Sequence, residues 1–504
     1  YITMSLDNAG NLDEGANLKK KTINSVFWSF VSKISTRSLD LIKIIVVARL
    51  LSPEDFGLFG IALLTIAIFQ VFSQTGFKES IIQNKKDIKS HLNTAWTTLV
   101  IRGFVIYGIV FLISPFLAGF FGEPRAELIL QTIGIILILQ GFQNIAVIFL
   151  RKELEFKKKF VLDLGKTLPS FILTISLAFI IKNVWSLVFG ILIGEVSMLF
   201  ISYLIYPYKP RFEFKKDKAL ELFTFGKWIF LSSILMFLIT QGDDIFVGKV
   251  LGTSALGIYQ LAYTLSNTPV TEVTYVISGV TFPAYSKIQD DFESLKSAFL
   301  KVFQSINLLS IPIGLMIISF SYEFTEIFLG EEWNQIVPII HLLTVLGMTR
   351  ALGATLGPLY NAKNRPDFPT KTNFLRLLII IFLIYPLTLK FGLIGTSATI
   401  MLSSIVQIII LFIKSRDFID LKLDDFIKSL IVPMIGGLVI SISVLMFKLF
   451  FRIDNLIFLV ITVIIITSLY VFTVLLFDSI LNIKSDVLRM IKEVFINHVF
   501  KKKL

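Results

Sequence analysis

The sequence predicts an all-α, polytopic membrane protein of about fourteen transmembrane helices. Three observations carry that reading. The chain has 504 residues, of which 55% are hydrophobic and 17% charged, with a mean hydropathy of +0.79, whereas an ordinary soluble chain is about 25% charged. Apolar runs long enough to cross roughly 30 Å at about 1.5 Å per residue recur from end to end. Lysine and arginine are concentrated in alternate connections between those runs. Helices are preferred to barrel strands because a helix satisfies its own backbone in lipid, and short alternating segments are not seen. A soluble enzyme, a disordered chain and a single-pass receptor are excluded.

The runs fall near 23–50, 56–77, 92–121, 127–150, 159–181, 184–206, 224–249, 254–284, 302–328, 334–360, 370–389, 393–413, 427–450 and 456–477. One set of connections is basic, with Lys85, Lys86, Arg151, Lys152, Lys157, Lys158, Lys209, Arg211, Lys363, Arg365, Lys414 and Arg416. The other set is short and holds Glu54-Asp55, Glu123, Lys182 and Glu331-Glu332. Basic loops stay on the cytoplasmic side. The expected location is therefore the cytoplasmic membrane, inner or sole, with both termini cytoplasmic, and the basic tail Lys501-Lys502-Lys503 agrees. The polar first twenty-one residues end in Lys19-Lys20-Lys21 and show no cleavable signal, so the first apolar helix is expected to serve as the insertion signal.

An internal repeat runs at an offset of 200. Trp28 matches Trp228, Ser32 matches Ser232, Arg49 matches Lys249, Leu51 matches Leu251, Gly57 matches Gly257, and Ala62 matches Ala262. Six runs separate the copies, an even number, so both insert in one orientation and are related by an axis along the membrane normal. The predicted organisation is a cytoplasmic tail at 1–22, a first lobe of six helices at 23–208, a linker at 209–223, a second lobe at 224–415, two added helices at 416–480, and a basic cytoplasmic tail at 481–504. Two such lobes suggest a transporter with a cavity between them.

Catalytic signals are weak. Cysteine is absent, and the three histidines form no metal-ligand spacing. Gly165-Lys166-Thr167 resembles the end of a phosphate-binding loop, but Phe160 stands where that loop needs glycine. His341 lies in an apolar run and reads as packing. No large extracytoplasmic loop exists to hold an acidic catalytic pair, so neither an enzyme nor a cofactor is expected. Nucleic acid is not an expected partner.

Charge inside the runs is the informative signal. On a helix, Lys33, Arg37 and Asp40 lie within about 60° of one another, and Lys43 sits about 60° further round. A charge at the bilayer centre costs at least about 2.5–3.5 kcal/mol. These four groups therefore face either one another, as a structural Arg37–Asp40–Lys43 ladder, or a wet cavity wall. Three cations against one acid favour an anionic ligand. Arg102, Lys166 and Arg350 extend the set of candidate ligand-binding cations. Asp163, Glu195, Glu272 and Asp40 are candidate sites for a coupling ion, Na+ or H+. Asn267, Pro269 and Glu272 read equally as a cation or sugar site and as a packing kink. Asp243-Asp244 fall near the end of their run, where the cost is smaller. Gln70, Gln74, Gln140, Gln143 and Asn144 are amides at membrane depth, suited to sugar hydroxyls or to interhelical bonds.

Several stretches are similar to one known family. They are Val47-Ala-Arg-Leu-Leu-Ser-Pro-Glu-Asp-Phe-Gly-Leu-Phe-Gly60, Leu150-Arg-Lys-Glu-Leu-Glu-Phe156, Gly242-Asp-Asp-Ile-Phe-Val-Gly-Lys-Val-Leu-Gly252, Ala255-Leu-Gly-Ile-Tyr259 and Val280-Thr-Phe-Pro-Ala-Tyr-Ser286. They resemble the multidrug/oligosaccharidyl-lipid/polysaccharide flippase superfamily, in its lipopolysaccharide, O-antigen and teichuronic-acid exporter branch. The resemblance covers essentially the whole chain. It implies a V-shaped, MATE-like molecule with two six-helix lobes and alternating access. It implies an oligosaccharide on a polyprenyl pyrophosphate carrier as cargo, with a monomer as the expected working unit. Lys33, Arg37, Lys43 and Arg102, then Lys166 and Arg350, would meet the pyrophosphate, replacing its water. The alternative is a cation-coupled multidrug or small-molecule antiporter of the same superfamily, for which an acidic cavity would be expected.

Overall fold

The computed structural model describes residues 3–72, 89–214 and 216–480. Among them the structure is helical with short connections. The long helices are α1 (Thr3–Ala48), α2 (Pro53–Phe72), α3 (Lys89–Phe121), α4 (Ala126–Phe142), α5 (Phe156–Ile181), α6 (Trp185–Ile205), α7 (Lys216–Val250), α8 (Thr253–Lys287), α9 (Phe292–Phe324) and α10 (Ile336–Gly353). A continuous stretch Asp367–Ile419 is broken at Gly392, which takes φ 59° and ψ −138°. The chain reverses there. Thr388 and Thr396, eight residues apart, bring their hydroxyls within 2.8 Å. We number its two parts α11 (367–391) and α12 (393–419). The last two helices are α13 (Leu423–Phe450) and α14 (Leu456–Ile480). The all-α polytopic fold is as predicted.

Among the described residues nine helical stretches are long and apolar enough to cross a membrane. Three of the five runs that make up the difference from fourteen have a physical cause; the other two, α7 and α8, include side chains outside the described residues. The stretch through Gly392 is one continuous helical run that turns back on itself. The α4 helix has 17 residues, short of about 20 for a full crossing. The α1 helix carries Lys33, Arg37, Asp40 and Lys43, which lower its hydropathy.

Several boundaries move. The predicted run 127–150 is not one helix. It breaks at Gln143–Asn144 and continues as a 3-10 turn Ile145–Ile148 and a short helix Phe149–Lys152. The Asn144 side chain compensates for the break. Its Nδ2 donates to the carbonyls of Ser202 (3.0 Å) and Tyr206 (2.6 Å), and its Oδ1 accepts from Ala146 N at 2.9 Å. The α9 helix starts at Phe292 rather than near 302, because Asp291 caps it by accepting from Ser294 N at 3.1 Å. The predicted run 334–360 is interrupted after Gly353 and ends in a separate short helix, Leu356–Ala362.

The chain divides into two compact units, Tyr1–Gly257 and Ile258–Leu504, with the boundary inside α8. In the first unit α5 packs along α6 and α1, α3 along α4, and α7 against α2 and α3. Lipid tails are as apolar as leucine, so close packing and interhelical hydrogen bonds hold such bundles. Gly190 and Gly194 of α6 sit against Thr174 and Ser170 of α5, where a Cβ at Gly190 would stand 1.7 Å from Thr174 Oγ1. Trp96 Nε1 donates to the Tyr203 hydroxyl (3.1 Å), which donates to Phe142 O (2.8 Å). Leu112, Phe116, Ile180 and Leu204 are largely exposed, as a lipid-facing belt requires.

In the second unit α9 packs with α10 and α13, and α13 with α14. Phe299, Phe303, Phe412 and Phe426 form an aromatic cluster at one end, with ring centroids 4.4–6.5 Å apart. The α13 helix runs parallel to α9 and is latched near both ends. Lys296 Nζ is 2.6 Å from Asp425 Oδ2, and Lys448 Nζ is 2.6 Å from Glu323 Oε1. Tyr470 of α14 donates its hydroxyl to Leu308 O at 2.7 Å.

Candidate functional site

The α1 helix is fastened to α5 along one face. Ser25 Oγ donates to Leu154 O at 2.9 Å, the Trp28 ring packs on Phe160 at 5.5 Å, and Ser32 Oγ donates to Asp163 Oδ2 at 2.9 Å. At about 100° per residue, Lys33 and Arg37 are turned roughly 100° and 140° away from Ser32. Arg37 is exposed and Lys33 half-buried, and both make contacts with other groups. Asp40 pairs with Lys43, Nζ to Oδ1 2.9 Å. Asp163 pairs with Lys159, one turn earlier on α5. The spacing of four between Lys159 and Asp163 puts them on one face of α5.

A second cluster joins α2, α4, α5 and α6 around Glu195, which is 3% exposed. Lys166 Nζ donates to Glu195 Oε1 at 2.7 Å. Gln140 Nε2 donates to the same oxygen at 3.2 Å, and Gln143 Nε2 donates to Oε2 at 2.8 Å. Gln70 Nε2 donates to Gln140 Oε1 at 3.0 Å. A carboxylate this deep persists as a charge only with such partners. The Lys166 ammonium, its side chain 41% exposed, reaches outward from the pair. An acid, a base and three amides thus form one chain of hydrogen bonds through the first unit.

The other candidates stand apart. Arg102, on α3, is half-buried and in contact with other groups. In the second unit Arg350 donates to the Tyr263 hydroxyl, with its guanidinium carbon 5.4 Å from the centre of that ring. Tyr263 lies on a different helix, so no spacing rule pointed to it. The side chain of Glu272 lies outside the described residues, as does Gln74. Asn267 Nδ2 donates to Leu343 O at 3.3 Å, and His341 Nε2 lies 2.8 Å from Ser321 Oγ. Asp243 is 4% exposed and in contact with other groups. Among the described residues, no group of three or more His, Cys, Asp or Glu residues could hold a metal ion.

The opening motif Ser52-Pro-Glu-Asp-Phe-Gly57 has a structural explanation. Ser52 Oγ and Asp55 Oδ2 lie 3.0 Å apart, closing the first turn of α2. Asp55 Oδ1 accepts from Val184 N at 3.1 Å, tying that turn to the α5–α6 connection. Glu54 pairs with Arg125, which also pairs with Glu123 at 2.8 Å. The guanidinium holds the Glu123 carboxyl below the usual carboxylate range.

Residues 46–338 match the family described as polysaccharide biosynthesis protein. The chain is 29% identical over 424 residues to the lipopolysaccharide biosynthesis protein WzxC of Escherichia coli K12, covering 83% of this chain and 85% of that one. It is 22% identical over 353 residues to the teichuronic acid biosynthesis protein TuaB of Bacillus subtilis 168, covering 70% and 73%. In fold it is similar to the lipid II flippase MurJ in an inward closed conformation, with a TM-score of 0.73 at 17% identity over 90% of this chain and 99% of that one. An inward-facing MATE family transporter of the MOP superfamily follows at a TM-score of 0.61 and 14% identity, over 76% and 94%.

Proposed function

We propose that this chain, which belongs to the polysaccharide biosynthesis protein family, is a flippase for lipid-linked oligosaccharide. It moves a saccharide on a polyprenyl pyrophosphate carrier across the cytoplasmic membrane by alternating access, for assembly of a cell-surface polysaccharide. The observation that carries this reading is the family match on a multi-pass helical chain whose first helix sets three cations against one carboxylate between residues 33 and 43. A pyrophosphate must shed water to cross, and fixed ammonium and guanidinium groups replace that water. In this reading Lys33, Arg37, Lys43 and Arg102 meet the headgroup, with Lys166 and Arg350 as further contacts.

Residues 23–208 and 224–415 are the two repeat lobes, and both termini are cytoplasmic. The chain works as a monomer, by transport rather than bond chemistry. Asp40, Asp163, Glu195 and Glu272 are the coupling candidates, and Glu195 leads them. Protonating Glu195, or giving it a Na+ ion, would release Lys166 toward an anionic headgroup. The likeness to MATE transporters supports a second reading, a cation-coupled multidrug antiporter. The cation surplus of α1 weighs against it, since cationic drugs would meet repulsion there.

The test is complementation. A host lacking its own polysaccharide flippase and expressing this chain should regain surface polysaccharide. A chain that reaches the membrane yet restores no polysaccharide, while lowering drug accumulation, would overturn the assignment in favour of the antiporter.

A further inference from the structure

The connections α1–α2, α3–α4 and α5–α6 gather at one end of the first unit and border an open cavity of about 450 Å³. That size lies in the range of small-molecule sites, roughly 300–1,000 Å³. Its polar lining is Asp55, Arg125, Glu127, Gln131, Asn183 and Trp185. These are the loops poor in lysine and arginine, which the proposed topology puts on the outer face.

Asp55 is spent on Val184 N and Ser52, and Arg125 on Glu54 and Glu123. Asn183 Oδ1 accepts from Trp185 N at 3.1 Å, which fixes the backbone that carries the indole. The indole stacks on Phe189, with centroids 5.5 Å apart at 29°. Gln131 Nε2 donates to Ser114 Oγ at 3.0 Å and to Glu127 Oε1 at 3.3 Å. Among the described residues four polar atoms of these side chains have no hydrogen-bond partner: Glu127 Oε2, Gln131 Oε1, Asn183 Nδ2 and Trp185 Nε1. Planar carboxylate and amide groups match vicinal hydroxyls, and an aromatic face matches the C–H face of a pyranose. A tryptophan at a membrane surface is often an interfacial anchor, but an anchor needs no carboxylate–amide pair beside it. With two carboxylates against one guanidinium, the lining favours an uncharged sugar over an acidic one.

We propose that this cavity is a saccharide subsite that takes a neutral mono- or disaccharide unit of the cargo on the outer face. The proposal rests on the flippase reading for its cargo and side. The subsite holds the sugar after the carrier headgroup has crossed, with Trp185 as the stacking platform and Glu127, Gln131 and Asn183 as hydroxyl partners.

The test uses the purified full chain in lipid nanodiscs, with galactose, cellobiose and glucuronate as probes, read by calorimetry and tryptophan fluorescence. At least one neutral sugar should bind and glucuronate should bind about tenfold more weakly. Trp185→Ala should weaken the neutral sugar about tenfold and Trp185→Phe should restore most of it. Glu127→Gln should narrow the preference against glucuronate, and it serves if Trp185→Ala does not fold. Absence of neutral-sugar binding, or binding unchanged in both Trp185→Ala and Glu127→Gln, overturns the subsite. Export is scored in parallel. Export without sugar binding sinks the subsite alone, while binding without export sinks the flippase reading and leaves a sugar site.

Discussion

Gly57 and Gly257, at the repeat offset of 200, each lie against the first turn of the other's helix. A Cβ on Gly57 would stand 1.8 Å from Thr253 O, and one on Gly257 would stand 1.9 Å from Pro53 O. Residues 53 and 253 are themselves repeat mates. Position 57 therefore meets 253 as 257 meets 53, the reciprocity of a local two-fold contact. It gives the glycine of the Ser52-Pro-Glu-Asp-Phe-Gly57 motif a reason: two backbones touch there.

Gly57→Ala and Gly257→Ala should each destabilise the protein, because the new methyl meets backbone rather than a yielding side chain. Overpacking of this kind costs about 1–3 kcal/mol. Gly108→Ala, with nothing within 4 Å of its Cβ position, should be neutral or slightly stabilising. Thermal unfolding in detergent, followed by size-exclusion fluorescence, checks the contrast. Equal melting of all three variants would remove the contact's importance.

Lys166→Ala should destabilise the first unit, since it leaves the buried Glu195 carboxylate with amides alone. Breaking a buried pair costs about 3–5 kcal/mol. The Lys166 side chain is 41% exposed, so solvent screening reduces the figure to the lower end or below. Adding Glu195→Gln to Lys166→Ala should recover part of the loss. Melting temperatures of the two single variants and the double variant form the cycle, and additivity would show that the pair is not coupled.

Arg37→Ala and Arg37→Glu should impair export, and Arg37→Lys should retain part of it, because charge survives while the guanidinium fork does not. Surface polysaccharide in the complemented host is the measurement. Full export by the Glu variant would take Arg37 out of headgroup binding.

The Glu54–Arg125–Glu123 contact should depend on pH in one direction. Glu123 is held below its ordinary pKa by Arg125. A depressed folded-state pKa gives stability that is present above the unfolded value, about 4.3, and lost as pH falls through the folded value. The melting difference between wild type and Arg125→Ala should thus be constant from neutral pH to about pH 5 and shrink below it. Its size should be that of an exposed pair, about 0.2–1 kcal/mol. A difference that grows on acidification would contradict the assigned contact.

The helical, multi-pass class was legible because hydropathy and loop charge are local properties, readable along one strand of sequence. The Asn144 break was harder to see, since apolar residues continue on both sides of it and the compensating carbonyls of Ser202 and Tyr206 come from another helix. The reversal at Gly392 was expected from the gap between two runs, and a positive φ explains why glycine stands there.

Reading along the chain was enough to find the ionisable side chains inside apolar runs: Lys33, Arg37, Asp40 and Lys43 on one helix, and Asp163, Lys166, Glu195 and Arg350 on others. It did not determine their partners. Only the tertiary structure joined Lys166 to Glu195 and its three glutamines, Ser32 to Asp163, and Arg350 to Tyr263. The reason is geometric. Periodicity fixes where a residue points within its own helix, while the partner it meets depends on how neighbouring helices pack, and that is decided by contacts between residues distant in the chain.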